Sequence, residues 1–343
     1  MKTPIKFAAL GLDHRHIYGM AQGMIDAGCQ FSSYWCDQNP QPLAGFVERF
    51  PDIPRAQERQ RILDDAEVSL VLIASAPKYR AQLAIEAMLH GKDVMVDKPG
   101  CLSLEELSEI KKTVQTTGRL WSVNFSERFE VPAVTVATQL VREGRIGQVI
   151  QTLGIGPHRL NAATRPDWFF DKQQYGGILT DIGTHQIDQF LHFSNQPSAN
   201  IVHSAVGNFA NPEHPEFEDF GEINLAAGQA QAYIRVDWYT PDALPNWGDG
   251  RLFITGSEGY IELRKYVDVQ GRSGTDHLFL VNGTSCEHID CSDAPLPYFS
   301  DLAHDVLERS QTSCSQEHTF TVTELALRAQ IQAENRNSTQ SSA

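Results

Sequence analysis

The sequence has no apolar run of about 18 residues, no CxxC pair, no surplus of basic charge and no internal repeat, and each absence excludes a class of protein. Without such a run no membrane-spanning helix is expected. The start, MKTPIKFAALG, enters a strand-like segment with no basic n-region or cleavage site, so no export signal is expected either. The six cysteines (Cys29, Cys36, Cys101, Cys286, Cys291, Cys314) do not form a metal or disulfide pattern, and reduced thiols in a cytoplasmic setting are the simplest expectation. A net charge of −15 lacks the basic surface that phosphate backbones require, so neither nucleic acid nor a membrane is an expected partner. At 343 residues, two domains are expected.

The first 120 residues alternate strand-like and helix-like segments. Short apolar runs at 5–10, 31–36, 68–74 and 94–96 end respectively at Gly11, Asp37, the loop Ser75-Ala76-Pro77, and Asp97-Lys98-Pro99. Helix-period segments separate them, and Ser103 with Glu106 gives capping-box spacing for a further helix. This alternation predicts an α/β chain whose N-terminal domain is a Rossmann-type, doubly wound parallel sheet. Ligands of such sheets sit beyond the carboxyl ends of the strands. There Asp37 can accept both ribose hydroxyls of an adenosine and would repel a 2′-phosphate, which favours NAD over NADP.

The first turn, GLDHRHIYG, lacks the full glycine fingerprint: Asp13 and His16 stand where GxGxxG places its second and third glycines. The dinucleotide expectation therefore rests on Gly11, Leu12, Asp13, His14, Asp37, Ser75, Ala76, Pro77, Asp97 and Lys98 together. His14 and His16 form an HxH, but the sequence places no third ligand, so no metal is expected and the turn is read as hydrogen-bonding cofactor or substrate.

The stretch YGGILTDIGTHQIDQFLHF (175–193) repeats ionisable residues at helical spacing beside glycines. At about 100° per residue, Asp181, His185, Asp188 and His192 share one arc and the apolar residues lie opposite, which predicts an amphipathic helix with its polar stripe outside the core. An Asp four residues before a His can tune an imidazole for proton transfer; a solvated surface pair is the other reading. After Asn124, alternating segments predict a C-terminal α+β domain with a large, mostly antiparallel open sheet. The connection 158–174 carries Arg159, Arg165, Trp168, Phe169 and Phe170. Arg165 and Trp168 are read as substrate contacts and the two phenylalanines as anchors in the core.

With these residues in place, the chain resembles the Gfo/Idh/MocA oxidoreductases. The family's EKP motif has its counterpart in Asp97-Lys98-Pro99, and its GGGxxxDxGxHxxD signature in YGGILTDIGTHQID, roughly 80 residues later. FSERFEVP, VREGRIGQV and LFITGSEGYIEL look like further family landmarks. The departures are Asp97 for Glu, Tyr175 for a glycine, and Arg80 where a His is usual. The resemblance implies a 1–123 NAD(P)-binding domain and a 124–334 substrate-binding and oligomerisation domain, while the low-complexity end NRNSTQSSA (335–343) is read as a frayed tail. It also implies catalytic roles for Lys98, Asp181 and His185: His185 as acid/base, Asp181 as its orienting partner, and Lys98 as the group stabilising an alkoxide or itself the base. Arg128, Arg165, Trp168, Asp181 and His185 are the implied substrate contacts. The implied reaction is NAD-dependent hydride transfer from a secondary hydroxyl of a sugar or cyclic polyol, in a homodimer or homotetramer formed through the C-terminal sheet. An NAD-dependent glycoside hydrolase and a non-catalytic dinucleotide or sugar sensor are the alternatives.

Overall fold

The computed structural model describes residues 4–341, with side chains to 337. Two compact units divide the chain: one of residues 1–124, 166–176 and 297–323, the other of 125–165, 177–296 and 324–343.

In the first unit, five strands form a parallel sheet: β1 (Lys6–Leu12), β2 (Gln30–Trp35), β3 (Val68–Ala74), β4 (Asp93–Asp97) and β5 (Trp121–Asn124), in the order β2-β1-β3-β4-β5. Strands β1, β3 and β4 are almost wholly buried, which is why they read as continuous apolar runs rather than alternating ones. The strand order reverses between β1 and β3, and at such a point the carboxyl ends open into a crevice. Gly11 serves this packing directly. Its φ is +79°, and a Cβ there would lie 2.5 Å from Ser75 Cβ, so the residue must be glycine for β1 to pass the end of β3.

The helix Leu104–Thr117 begins where the capping box places it, with Ser103 Oγ accepting from Glu106 N at 3.1 Å. Glu106 Oε2 accepts from Leu102 N, one residue before the usual partner. A boundary near residue 124 leaves out two later segments that belong to the first unit. For 297–323 the anchors are specific: Arg309 grips Asp93 with two bonds of 2.6 and 2.9 Å, Tyr298 meets Ser122, and Gln316 bonds both backbone groups of Trp121. These partners lie more than 170 residues apart in sequence, beyond any local pattern.

The second unit holds eight strands: β6 (Val149–Pro157), β7 (Asn200–Gly207), β8 (Phe220–Ala227), β9 (Ala230–Asp237), β10 (Arg251–Gly256), β11 (Gly259–Arg264), β12 (His277–Asn282) and β13 (Cys286–Asp290). Their order is β13-β12-β11-β10-β6-β9-β8-β7, antiparallel except for the β6/β9 pair. One face buries Leu252, Ile254, Ile261, Leu263, Leu278 and Leu280 in a core shared with Val134, Ala137 and Leu140 of the helix Pro132–Arg142. The expected α/β architecture with a large, mostly antiparallel second sheet is therefore present.

The helix around His185 departs from its expected form. Residues Leu179–Gly183 wind as a π-helix and Thr184–Ser194 as an α-helix, so the 100° step fails across the Asp181 end. Nor is the helix amphipathic in exposure: every residue from Ile182 to Leu191 is buried. It lies close over β6, where Cβ atoms at Gly154 and Gly156 would meet the Gln186 and Ile182 side chains at 2.4 and 3.2 Å. Those two strand glycines make room for the helix.

The last helix runs Gln316–Ser341, so residues expected as a frayed tail from 335 continue it, and the final two residues lie outside the described ones. Arg336 bonds His203, and Asn337 donates to Val206 O at 3.0 Å, tying that end down.

Candidate active site

In the first unit, the carboxylate of Asp97, at the end of β4, is fully buried and organises the strand-end crevice. Oδ2 accepts from Arg80 Nη2 at 2.8 Å and lies 2.9 Å from His14 Nδ1, while Oδ1 lies 2.8 Å from His16 Nδ1. Burial opposes its ionisation, but Arg80, then His16 and His14, hold it well below the usual carboxylate range. Burial pushes the His14 imidazole down to about 4 against the pull of Asp97. The pair is thus a neutral imidazole donating to a carboxylate.

Arg80, which the family pattern marked as a departure, is 1% exposed on the helix Pro77–Leu89. It donates to the backbone oxygens of Ser75, Asp97, Lys98 and Pro99 as well as to the Asp97 carboxylate. One guanidinium thus joins the ends of β3 and β4 and fixes the backbone of Lys98, itself 5% exposed. The sequence identified Arg80 only as a substitution; its five-donor fork is what suits it to so many acceptors.

Asp37, the expected ribose contact, is exposed just beyond β2. Ser75, Ala76 and Pro77 follow β3 into the start of the next helix, and Gly11 and Leu12 close β1 beside them. The turn that follows differs from a bare glycine cradle. Burial raises the pKa of Asp13, while the Ala76 backbone and Arg80 pull it down.

In the second unit, His185 is 2% exposed on the helix that sits over Gly154 and Gly156. Asp181 is half-buried in the π-helical turn, its N–H donating to Gly177 O at 3.0 Å. The other two members of the expected polar stripe are committed to the protein itself. Asp188 accepts two bonds of 2.7 Å from Arg128, and His192 Nε2 meets Thr138 Oγ1 at 2.8 Å. Arg128, expected as a substrate contact, is half-buried and forms a bidentate pair with the buried Asp188.

Arg165 donates to the backbone oxygens of Leu160 and Arg159 and lies over the Trp238 ring at 5.1 Å. Trp168 is half-buried in the first unit and packs at a tilt against Phe169, which is 4% exposed and stacks on Tyr175. The sequence reading missed a third group altogether. Glu127 and Lys265, 138 residues apart, form a fully buried ion pair at 2.8 Å, and Gln186 of the His185 helix donates to the same carboxylate oxygen at 2.7 Å. No local pattern marks such a pair.

Burial opposes ionisation of Glu127, but Lys265, then His185 and His158, hold its pKa at about 2. Its folded value lies below the ordinary 4.5, so the stabilisation is fully present above pH 4.5 and is lost as pH falls towards 2. Across that window wild-type stability should drop by about 3 kcal/mol more than that of Glu127→Gln. Equal slopes in urea titrations of the two proteins between pH 4.5 and 2 would contradict the ion pair.

Among the described residues no helix is long and apolar enough to cross a membrane. A chain from Erwinia carotovora atroseptica, whose crystal structure is described as that of a candidate oxidoreductase, is 44% identical and superimposes with a TM-score of 0.93, covering 96% of this chain and 98% of that one. A scyllo-inositol 2-dehydrogenase (NAD+) of Bacillus subtilis is 28% identical over 60% of this chain and 58% of its own length. A scyllo-inositol 2-dehydrogenase (NADP+) of the same organism is 27% identical over 54% and 50%. The chain thus spans about half the length of these curated relatives. Residues 34–125 match the model of the oxidoreductase family with an NAD-binding Rossmann fold, and residues 134–262 match the GFO/IDH/MocA C-terminal domain. With both halves matched in order on the expected pair of sheets, the chain belongs to the Gfo/Idh/MocA oxidoreductase family.

Proposed function

We propose that this protein is an NAD-dependent oxidoreductase that moves a hydride between a secondary hydroxyl of a sugar or cyclic polyol and a nicotinamide. The observation that carries the reading is Lys98: a buried lysine at the carboxyl end of β4, its backbone fixed by Arg80, on the edge of the sheet where ligands of this architecture bind. When bound, the dinucleotide supplies the hydride acceptor. Asp37 would hold its ribose, with Gly11, Leu12, Asp13, His14, Ser75, Ala76, Pro77 and Asp97 along the crevice. His185 removes or returns the hydroxyl proton, Asp181 orients it, and the Lys98 ammonium stabilises the developing alkoxide.

Arg165 and Trp168 are the proposed grips on neighbouring hydroxyls, and Arg128 acts by holding Asp188. The inositol dehydrogenase activities of the two Bacillus relatives support a cyclic polyol as the substrate class. A homodimer or homotetramer formed through the eight-stranded sheet belongs to the same proposal.

The cofactor half is tested by the thermal midpoint with NAD, with NADP and with neither. NAD at 100 times its Kd should add about 2.7 kcal/mol of stability, NADP less, and Asp37→Ala should narrow that difference. An NADP shift equal to or larger than that of NAD in the wild type would overturn Asp37 as the ribose reader.

A further inference from the structure

We propose that His14, His16 and Asp97 form a binding site for one divalent transition-metal ion of the zinc class. HxH alone falls one ligand short, and the fold supplies that ligand from a residue 81 positions after His16. One donor atom from each side chain lies within 4.8 Å of the other two, and the two Nδ1 atoms are 2.9 and 2.8 Å from the Asp97 oxygens. Metal–ligand bonds of about 2.0–2.2 Å in a tetrahedron place donors roughly 3.4 Å apart. The two Nδ1–carboxylate distances are shorter than that, so the imidazoles would move outward from Asp97 to admit the ion.

Two imidazoles and one carboxylate suit zinc and its neighbours better than the hard cations, which prefer all-oxygen sets. Three protein ligands also leave a fourth position for water or an exchangeable group. The Asp97 carboxylate is already oriented by a partner other than the histidines: Arg80 holds Oδ2, and Arg80 is itself fixed by four backbone carbonyls. That arrangement leaves Oδ1 for the ion and resembles the outer-shell bonds that set ligand geometry in metal sites.

The charge around the site also accepts a cation. Three carboxyl groups (Asp13, Asp37, Asp97) face two cations (Arg80, Lys98), leaving one negative charge in excess. Access comes through the histidines, whose side chains are 22% and 33% exposed, whereas Asp97 is sealed.

The test uses the full chain, stripped with chelator and titrated with Co²⁺ by visible absorbance and with Zn²⁺ by calorimetry. One equivalent should bind. His16→Asn, which keeps a donor for Asp97, should weaken binding by more than the about 10–100-fold that loss of an outer-shell partner costs. His277 Nδ1 and His288 Nε2 lie 3.0 Å apart and are the rival pair of imidazoles, so His288→Ala serves as the control and should bind as wild type does. No saturable binding by the wild-type chain overturns the proposal. So does binding that survives in both His14→Asn and His16→Asn, or that disappears in His288→Ala. The wild-type titration decides alone if a histidine variant fails to fold.

Discussion

Replacing His185 by alanine should lower kcat by about 10²-fold or more, and Lys98→Met should do the same, with cooperative thermal unfolding retained in both. The two losses have different signatures. A proton-transfer residue shapes the pH profile, so His185→Ala should remove the limb of kcat/KM that reports its titration. A charge that stabilises an alkoxide lowers kcat and kcat/KM together, leaving the profile of the remaining base in place. Should the Lys98 variant lose the pH limb instead, the lysine is the base. Near-normal turnover in both variants contradicts the catalytic assignment outright.

Arg80→Met should be the most destabilising single change in the first unit, by about 3–5 kcal/mol. It removes the guanidinium from a fully buried carboxylate and from four carbonyl oxygens at once, and methionine fills the volume without offering a donor. Because two of those carbonyls belong to Lys98 and Pro99, the same variant should also raise KM or lower kcat where enough folded protein remains. Chemical denaturation of wild type and Arg80→Met in parallel decides the matter. A difference below 1 kcal/mol would mean that solvent or neighbouring groups replace the bonds.

What the sequence made legible follows from what is local. The strands β1, β3 and β4 are apolar runs because both faces are covered, and their ends carry Gly11, Ser75 and Asp97 as expected. Ser103 and Glu106 likewise announced a helix that the structure contains. Three features escaped for reasons of distance or winding. The Glu127–Lys265 pair joins residues far apart, so neither charge looks unusual in its own segment. The π-helical turn at Leu179–Gly183 breaks the periodicity on which the polar stripe was drawn, and the buried Asp188 and half-buried His192 find partners in Arg128 and Thr138. The link from His14 and His16 to Asp97 depends on the sheet order, which brings the end of β4 within reach of the turn after β1. The short β5 was also missed, because four residues carry too little alternation to read.

The central claim is net hydride transfer from a polyol or sugar hydroxyl to NAD. Its most direct test is the formation of NADH by the wild-type chain against a panel of inositols, aldoses and simple glycosides, with the carbon products identified. The account requires NADH and a ketone or lactone in equal amounts from at least one inositol or aldose, and no such product from His185→Ala. Cleavage of a glycoside with no net NADH, or a cofactor that binds while every panel member is left unchanged, would contradict it.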